Sequence, residues 1–410
     1  MNTNGMVKTA VMIGAGNIGR GFIGEAFAAS GYEVVFVDVD EELVDEINAR
    51  GEYPVRIQHP NGEYTENVVR GVRAVSGKDT GAVAACIARA EICATAVGVR
   101  ALPLIVPQLA LGLALRSRNE GPPLNIIVCE NLIDAGSVLR DYVRDIIPTG
   151  LEAVIDELAG YPQAVIGRMV PPQTEEMNAG DPLRVCVEEY GFIPVDKAAF
   201  KGEIPKIERM VPLDGFEYYE KRKLFIHNLG HATAAYLGLL KGYTYIDEAV
   251  NDGDILFMTA NVMRESAAAL NCENPGDSVN LGHHIDSLLY RFSNSALQDT
   301  CARVAVDPVR KLGKADRIIG ALLNCERYGL PAVYIAGVAA AAALHLEKSY
   351  SGKGKLPNLS EITGLPADSN AYKMIMTFGT TCASAAARGG DAVASLRRVA
   401  MKYAGDITIL

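Results

Sequence analysis

Lys223, Asn228 and His231 bring an amine, a carboxamide and an imidazole into one short run, Lys223-Leu-Phe-Ile-His-Asn-Leu-Gly-His231. The surrounding segment, 217–240, reads as helix. At the angular step of an α-helix the three side chains fall at about 0°, 140° and 80°. They share one flank, while Phe225, Ile226 and Leu229 lie away from it and can pack. Asn and His are weak helix formers. Their place in mid-helix points to a site facing a cleft, with one group that exchanges protons and two that hold polar atoms.

A second set of residues precedes it by some two hundred positions. Thr9-Ala-Val-Met-Ile13 is a short apolar strand that runs into Gly14-Ala15-Gly16-Asn17-Ile18-Gly19, then a helical pattern over 20–30. A second strand, 33–37, ends at Asp38. Strand, GxGxxG, helix, strand and acid in that order form the dinucleotide-binding fingerprint. Gly14 permits the tight turn, Gly16 opens backbone N–H groups to a pyrophosphate, and Gly19 lets the helix pack close to the sheet. The helix N-terminus favours the negative charge. Asp38 accepts hydrogen bonds from ribose hydroxyls and repels a 2′-phosphate, so NAD is expected rather than NADP. Two later strands end at the same edge. Strand 92–97 carries Val97 into Gly98, and strand 124–129 carries the chain into Glu130-Asn131-Leu132.

The elements that must position these groups divide in two. The expected fold is α/β, with a Rossmann-type doubly wound sheet over 1–196 followed by a mainly helical domain over 197–410. The boundary is placed near 194–201, where strand-like alternation gives way to helical periodicity. In the first part, 53–58 and 64–72 flank Pro60-Asn61-Gly62 and read as a hairpin. Helices are expected at 79–90, 102–116 and across 134–158, and strands at 164–170 and 183–189. In the second, helices are expected at 216–241, 247–270, 282–301, 314–328, 331–348, 369–388 and 391–403, with a loop at 352–357.

The chain has 410 residues, enough for two domains. A net charge of −10 argues against nucleic-acid or membrane-surface partners. Eight scattered cysteines without a CxxC pair read as reduced thiols. With no signal-like N-terminus and no apolar run long enough to span a bilayer, a cytoplasmic protein is expected. His283-His284 lacks acidic or Cys partners at ligand spacing, so no metal site is expected.

Together these motifs resemble the polyol-specific long-chain dehydrogenases. The matching residues are Gly14-Ala-Gly-Asn-Ile-Gly-Arg-Gly-Phe-Ile-Gly24, Cys129-Glu-Asn-Leu132, Val195-Asp-Lys197, the Lys223…Asn228…His231 run through Gly238, and Pro308-Val-Arg-Lys-Leu312. The Lys-x4-Asn-x2-His pattern is specific to that family, and the chain length fits its sugar-phosphate branch. The resemblance implies reversible oxidation of mannitol 1-phosphate to fructose 6-phosphate with NAD and without metal, by a monomer or homodimer. It implies Lys223 as general base, Asn131 and Asn228 as donors to the reacting oxygen, and His231 as the group holding a neighbouring hydroxyl. The base needs a lowered pKa, which burial or nearby positive charge supplies.

A phosphate needs a cationic pocket. Arg310 and Lys311 are the first candidates, then Lys197, Lys201 and Arg222. Arg168 is placed at a strand end, where it can brace the domain interface. One departure stands out: His227 occupies a position where the family usually has Leu. It falls at about 40°, between Lys223 and His231, and either tunes the lysine, touches the substrate or packs. It leaves open a related enzyme for an unphosphorylated polyol, a hexuronate or an aldonate. A nucleotide-sensing module would need the glycine loop and Asp38 but not Lys223, Asn228 and His231.

Overall fold

In the computed structural model, which describes residues 8–147, 149–350 and 358–405, six short strands form one all-parallel sheet. In chain order the strands of the molecule are β1 (Thr9–Ile13), β2 (Glu33–Asp38), β3 (Glu52–Gln58), β4 (Tyr64–Arg70), β5 (Val72–Ser76), β6 (Ile92–Thr95), β7 (Leu124–Val128), β8 (Ala159–Gly160), β9 (Val185–Glu188), β10 (Ile193–Asp196) and β11 (Met210–Leu213). The large sheet runs β5-β2-β1-β6-β7-β8. That order winds outward in both directions from β1, the doubly wound arrangement, and places its switch point between β1 and β6.

Burial on both faces explains the unbroken apolar strands. Ala10, Met12, Val34 and Phe36 pack on one side of the sheet, and Val11, Ile13, Val35 and Val37 on the other. The expected hairpin forms, with β3 and β4 paired antiparallel from Glu52↔Arg70 to Gln58↔Tyr64. It stops short of Val72 because Gly71, at φ 73°, turns the chain away. Val72–Ser76 then pairs parallel with β2 instead. β9 adds a third strand to the hairpin, parallel to β3.

Residues 164–170 are not a strand. Gln163 and Ala164 make single bridges, to Val128 and Val195, and the backbone beyond them is irregular. Arg168 does not sit at a strand end. It is buried within the first unit against Glu25, at 2.7 Å, and donates to the Gly21 and Glu188 carbonyls. Arg209 holds the same carboxylate at 2.7 Å. The glycine-rich helix is therefore anchored by a buried ion cluster. Removing a partner from such a cluster costs about 3–5 kcal/mol because a charge is left unpaired.

The first compact unit comprises Met1–His59 with Glu63–Tyr219, and the second Pro60–Gly62 with Glu220–Leu410. The first thus runs on past the expected 194–201 boundary, because β10 pairs in parallel with β11. β11 lies beyond the expected boundary, where no strand was expected, and precedes the first of the expected helices. The helices expected across 134–158 are Ala135–Ile146 and Glu152–Leu158. The one expected over 247–270 is two, Ile246–Asn251 and Gly253–Glu273, divided by Asp252, whose side chain caps the second. The one over 282–301 resolves into Ser278–Phe292, a short turn and Cys301–Val304. The loop expected at 352–357 lies outside the described residues.

In the second unit the helix Leu229–Lys241 is almost wholly buried. Small residues make that possible: a Cβ at Gly238 would strike Cys301 Sγ and Ala249 Cβ. Helix Val333–Tyr350 is nearly as buried. Its first turn, whose N–H groups have no partner within the helix, is met by Glu265. That carboxylate accepts from the N–H groups of Val333, Tyr334 and Ile335 at 2.8, 3.1 and 3.0 Å. Burial pushes the Glu265 carboxyl up to about 8 against the pull of those donors. No helix among the described residues is long and apolar enough to cross a membrane.

Candidate functional site

The glycine loop is built by close approach. Gly14 has φ 98°, and a Cβ there would lie 2.5 Å from the Ala96 carbonyl oxygen on the adjoining strand connection. A Cβ on Gly19 would overlap the Gly14 carbonyl. At Gly16 a Cβ would meet nothing within 4 Å, so the space beside the loop is open. The N–H groups of Gly16, Asn17 and Ile18 head the helix with no acceptor ahead of them within it. The Asn17 side chain is spent on the Pro171 carbonyl, at 3.1 Å. Asp38 ends β2 and grips the loop: its Oδ2 accepts the Ala15 N–H at 2.7 Å, and its Oδ1 the Asp40 N–H at 3.1 Å.

Glu130 was expected to face the crevice. It is buried, and its two oxygens hold the N–H groups of Val97 and Gly98 at 2.9 and 2.8 Å. The carboxylate thereby fixes the turn after β6, where Gly98 adopts φ 86°. Asn131, the next residue, is exposed at the end of β7. Open backbone, an acid at the end of β2 and two fixed strand ends fit a dinucleotide.

In the second unit the chain passes from helix Glu217–Arg222 into a π-type segment, Lys223–Asn228, and then into helix Leu229–Lys241. Turns closed by i→i+5 bonds hold an extra residue. Residues five apart, such as Lys223 and Asn228, therefore come closer in direction than the about 140° computed for a regular helix. The Lys223 residue is half-buried. Crowding around it and the charge of Arg317 push its ammonium down to about 8.

Arg317 is 8% exposed, and its Nε donates to Asp316 Oδ1 at 2.7 Å. His227 is buried and is not what depresses the lysine. Burial, then Arg291, His231 and Lys223, hold its own pKa well below the ordinary range, so it is a neutral ring. It packs against Phe292, centroid to centroid at 5.8 Å.

His231 Nε2 lies 2.9 Å from Asp299 Oδ2, and the ring stacks on Phe292 at 5.0 Å and 13°. Asp299, Arg317 and Phe292 escaped the sequence reading. Only tertiary structure brings Asp299 to His231, 68 positions away. Arg317 follows the PVRKL run closely enough that an Asp-Arg pair beside a cationic motif was its one visible signal.

The first anion-binding candidates, Arg310 and Lys311, already have partners within the second unit. Arg310 is exposed and paired with Asp307 and Asp316, at 3.1 and 2.8 Å. Lys311 is 5% exposed, donates to the Val306 carbonyl, and is pushed down to about 8 by burial and by Arg317 and Arg310. Lys197 and Lys201 belong to the first unit. Lys197 is exposed and pairs with Asp214 at 2.8 Å, and the Lys201 backbone is bonded to the Asn125 side chain. His283 is exposed, whereas burial, Arg222 and Arg291 push His284 down to about 3. Among the described residues no group of three or more His, Cys, Asp or Glu is placed to hold a metal.

Residues 8–209 match the mannitol dehydrogenase Rossmann domain, and 216–363 the mannitol dehydrogenase C-terminal domain. The chain is 39% identical over 369 residues to mannitol-1-phosphate 5-dehydrogenase of Brevibacillus brevis, covering 87% of this chain and 94% of that protein. Two solved structures share the fold. D-sorbitol dehydrogenase in substrate-free form has a TM-score of 0.78 at 18% identity, covering 96% of both chains. Pseudomonas fluorescens mannitol 2-dehydrogenase, in complex with NAD and D-mannitol, has a TM-score of 0.67 at 17% identity, covering 99% of this chain and 93% of that one.

Proposed function

Because the chain belongs to the mannitol dehydrogenase family, we propose that it is an NAD-dependent oxidoreductase interconverting mannitol 1-phosphate and fructose 6-phosphate, with Lys223 as general base. The observation that carries this reading is the depressed Lys223 ammonium on the π-type segment it shares with Asn228. A base is most useful when its pKa lies near the working pH, and a lysine brought to about 8 meets that condition. The 39% identity to an enzyme named for mannitol 1-phosphate supports the substrate.

In the first unit, the backbone N–H groups of Gly16, Asn17 and Ile18 hold the pyrophosphate. Asp38 accepts from the adenosine ribose, and the Val97–Gly98 turn borders the dinucleotide. NAD, when bound, supplies the hydride acceptor. Lys223 takes the hydroxyl proton as the secondary alcohol is oxidised and returns it in the reverse direction. The Asn228 carboxamide donates to the oxygen as negative charge develops there. Asn131, exposed at the end of β7, offers the same carboxamide chemistry. His231 orients the substrate through a neighbouring hydroxyl.

An unphosphorylated polyol is the second reading. It is favoured by Arg310, whose guanidinium is already taken by Asp307 and Asp316. The deciding experiment follows NADH consumption by the purified protein with fructose 6-phosphate, fructose and a hexuronate at equal concentration. Strong preference for fructose 6-phosphate is expected. Preference for fructose or the hexuronate moves the protein to a sister branch and retains the lysine chemistry.

A further inference from the structure

The His231 ring is held from several directions. Phe292 covers one face, at 5.0 Å and 13°, and the His227 ring lies 6.3 Å away. Asp299 Oδ2 stands 2.9 Å from Nε2. Asp299 is itself 7% exposed, and both its carboxylate oxygens and its backbone carbonyl are engaged. Its Oδ1 accepts from Arg303 Nε at 2.8 Å and Nη2 at 2.6 Å, and its backbone carbonyl accepts the Ile246 N–H at 2.8 Å.

Burial would raise the Asp299 carboxyl, but the His231 and Arg303 contacts outweigh it and hold it below the usual range. The group is therefore an ionised acceptor. A carboxylate has no hydrogen to give, so the hydrogen of the pair sits on His231 Nε2, and whenever the ring is neutral Nδ1 carries the lone pair.

We propose that Asp299, braced by Arg303, is a positioning residue that fixes the tautomer and orientation of His231, so that Nδ1 accepts a hydrogen from a substrate hydroxyl. The inference rests on reading His231 as the group that orients the substrate. It goes further in naming the nitrogen that does so and the carboxylate that selects it.

The test combines a mutant cycle with a spectroscopic readout on the full chain. Asp299→Ala and His231→Ala should each lower kcat/KM for fructose 6-phosphate by roughly ten- to hundredfold, the scale on which a histidine suffers when its orienting partner is lost. NADH affinity should be unchanged. In the His231→Ala background, Asp299→Ala should add little, because the two act as one unit; fully additive losses would overturn the proposal. Asp299→Asn keeps the side-chain shape, but Arg303 holds its oxygen and so turns the amide NH2 toward His231; it should fold normally and still lose activity, because the amide donates to Nε2 and favours the other tautomer. This variant also guards against misfolding of the alanine variant.

Histidine-ring 15N spectra need no substrate. They should show His231 protonated at Nε2 in the native protein, at Nδ1 in Asp299→Asn, and as a tautomer mixture in Asp299→Ala. A native ring protonated at Nδ1 overturns the inference whatever the kinetics show. If the native protein turns over none of the tested sugars, the proposed reaction is at fault, and the spectra still decide whether Asp299 sets the ring.

Discussion

Each unit of this molecule contains one stretch wound wider than an α-helix, and the two stretches serve opposite ends. Gly19–Gly24, Gly-Arg-Gly-Phe-Ile-Gly, is buried throughout, and every second or third residue lacks a side chain. Glycine is required for proximity: a Cβ at Gly21 would lie 2.7 Å from Val185, and one at Gly24 2.6 Å from the Phe36 ring. Lys223–Asn228, Lys-Leu-Phe-Ile-His-Asn, buries only Ile226 and His227. The first segment strips side chains away so that backbone can come close. The second uses its extra residue to redirect side chains that would otherwise diverge. A rare winding is therefore no marker of one chemistry; which atoms it presents depends on the residues placed on it.

The sharpest way to break this contrast is to truncate the lysine. Lys223→Ala should lower turnover by about 10²–10⁴-fold, the range for a positioned acid–base group, with NADH affinity unaltered by fluorescence titration. Near-normal turnover would mean that the second segment is as dependent on backbone as the first.

Gly19→Ala attacks the other side. Its methyl would overlap the Gly14 carbonyl, and overpacking of this kind costs about 1–3 kcal/mol. Loss of NADH binding and a lower Tm are expected, while a variant binding NADH normally would refute the close-approach argument.

A smaller effect is expected from Arg317→Gln, which removes a charge that depresses Lys223. Alcohol oxidation needs neutral lysine, so its rate should rise with pH through about 8 in the native protein. In the variant that rise should move to higher pH, and an unmoved profile would leave burial as the whole cause. Smallest is Asp38→Ala. The ratio of kcat/KM for NAD over NADP should fall, though the loop loses its Ala15 contact as well. An unchanged ratio assigns discrimination elsewhere.

Much of the first unit was legible because parallel strands buried on both faces are written as short apolar runs between glycines and polar turns. β1, β2, β6 and β7 all read that way. β8 was not legible, being two residues long. Residues 164–170 misled because they are apolar without being paired: their burial comes from packing, including Gly167 against the Tyr190 ring. The boundary between β4 and β5 hung on one left-handed glycine.

For the site, residue types and spacing picked out Lys223, Asn228 and His231, but the arithmetic assumed uniform α winding and so misjudged their angles. His227 drew attention as an unusual residue. The group that actually lowers the lysine, Arg317, lies 94 positions on (317 minus 223) and carries no local pattern. Side-chain partners supplied from elsewhere in the fold leave no periodic trace.

Glu265 has a consequence for the order in which the second unit assembles. Its carboxylate and the three N–H groups it satisfies are 68 to 70 positions apart in the chain. Until they meet, helix Val333–Tyr350 has uncapped donors at one end and an almost wholly apolar body behind them. Closing a loop of that length carries an entropy cost that grows only with the logarithm of its size, but none of it is repaid before the contact forms. Docking of this helix should therefore be a late, all-or-none event in refolding, and the capped turn its latch. A Glu265→Gln protein should slow in that step while the nucleotide-binding sheet gains its amide-exchange protection on the native schedule.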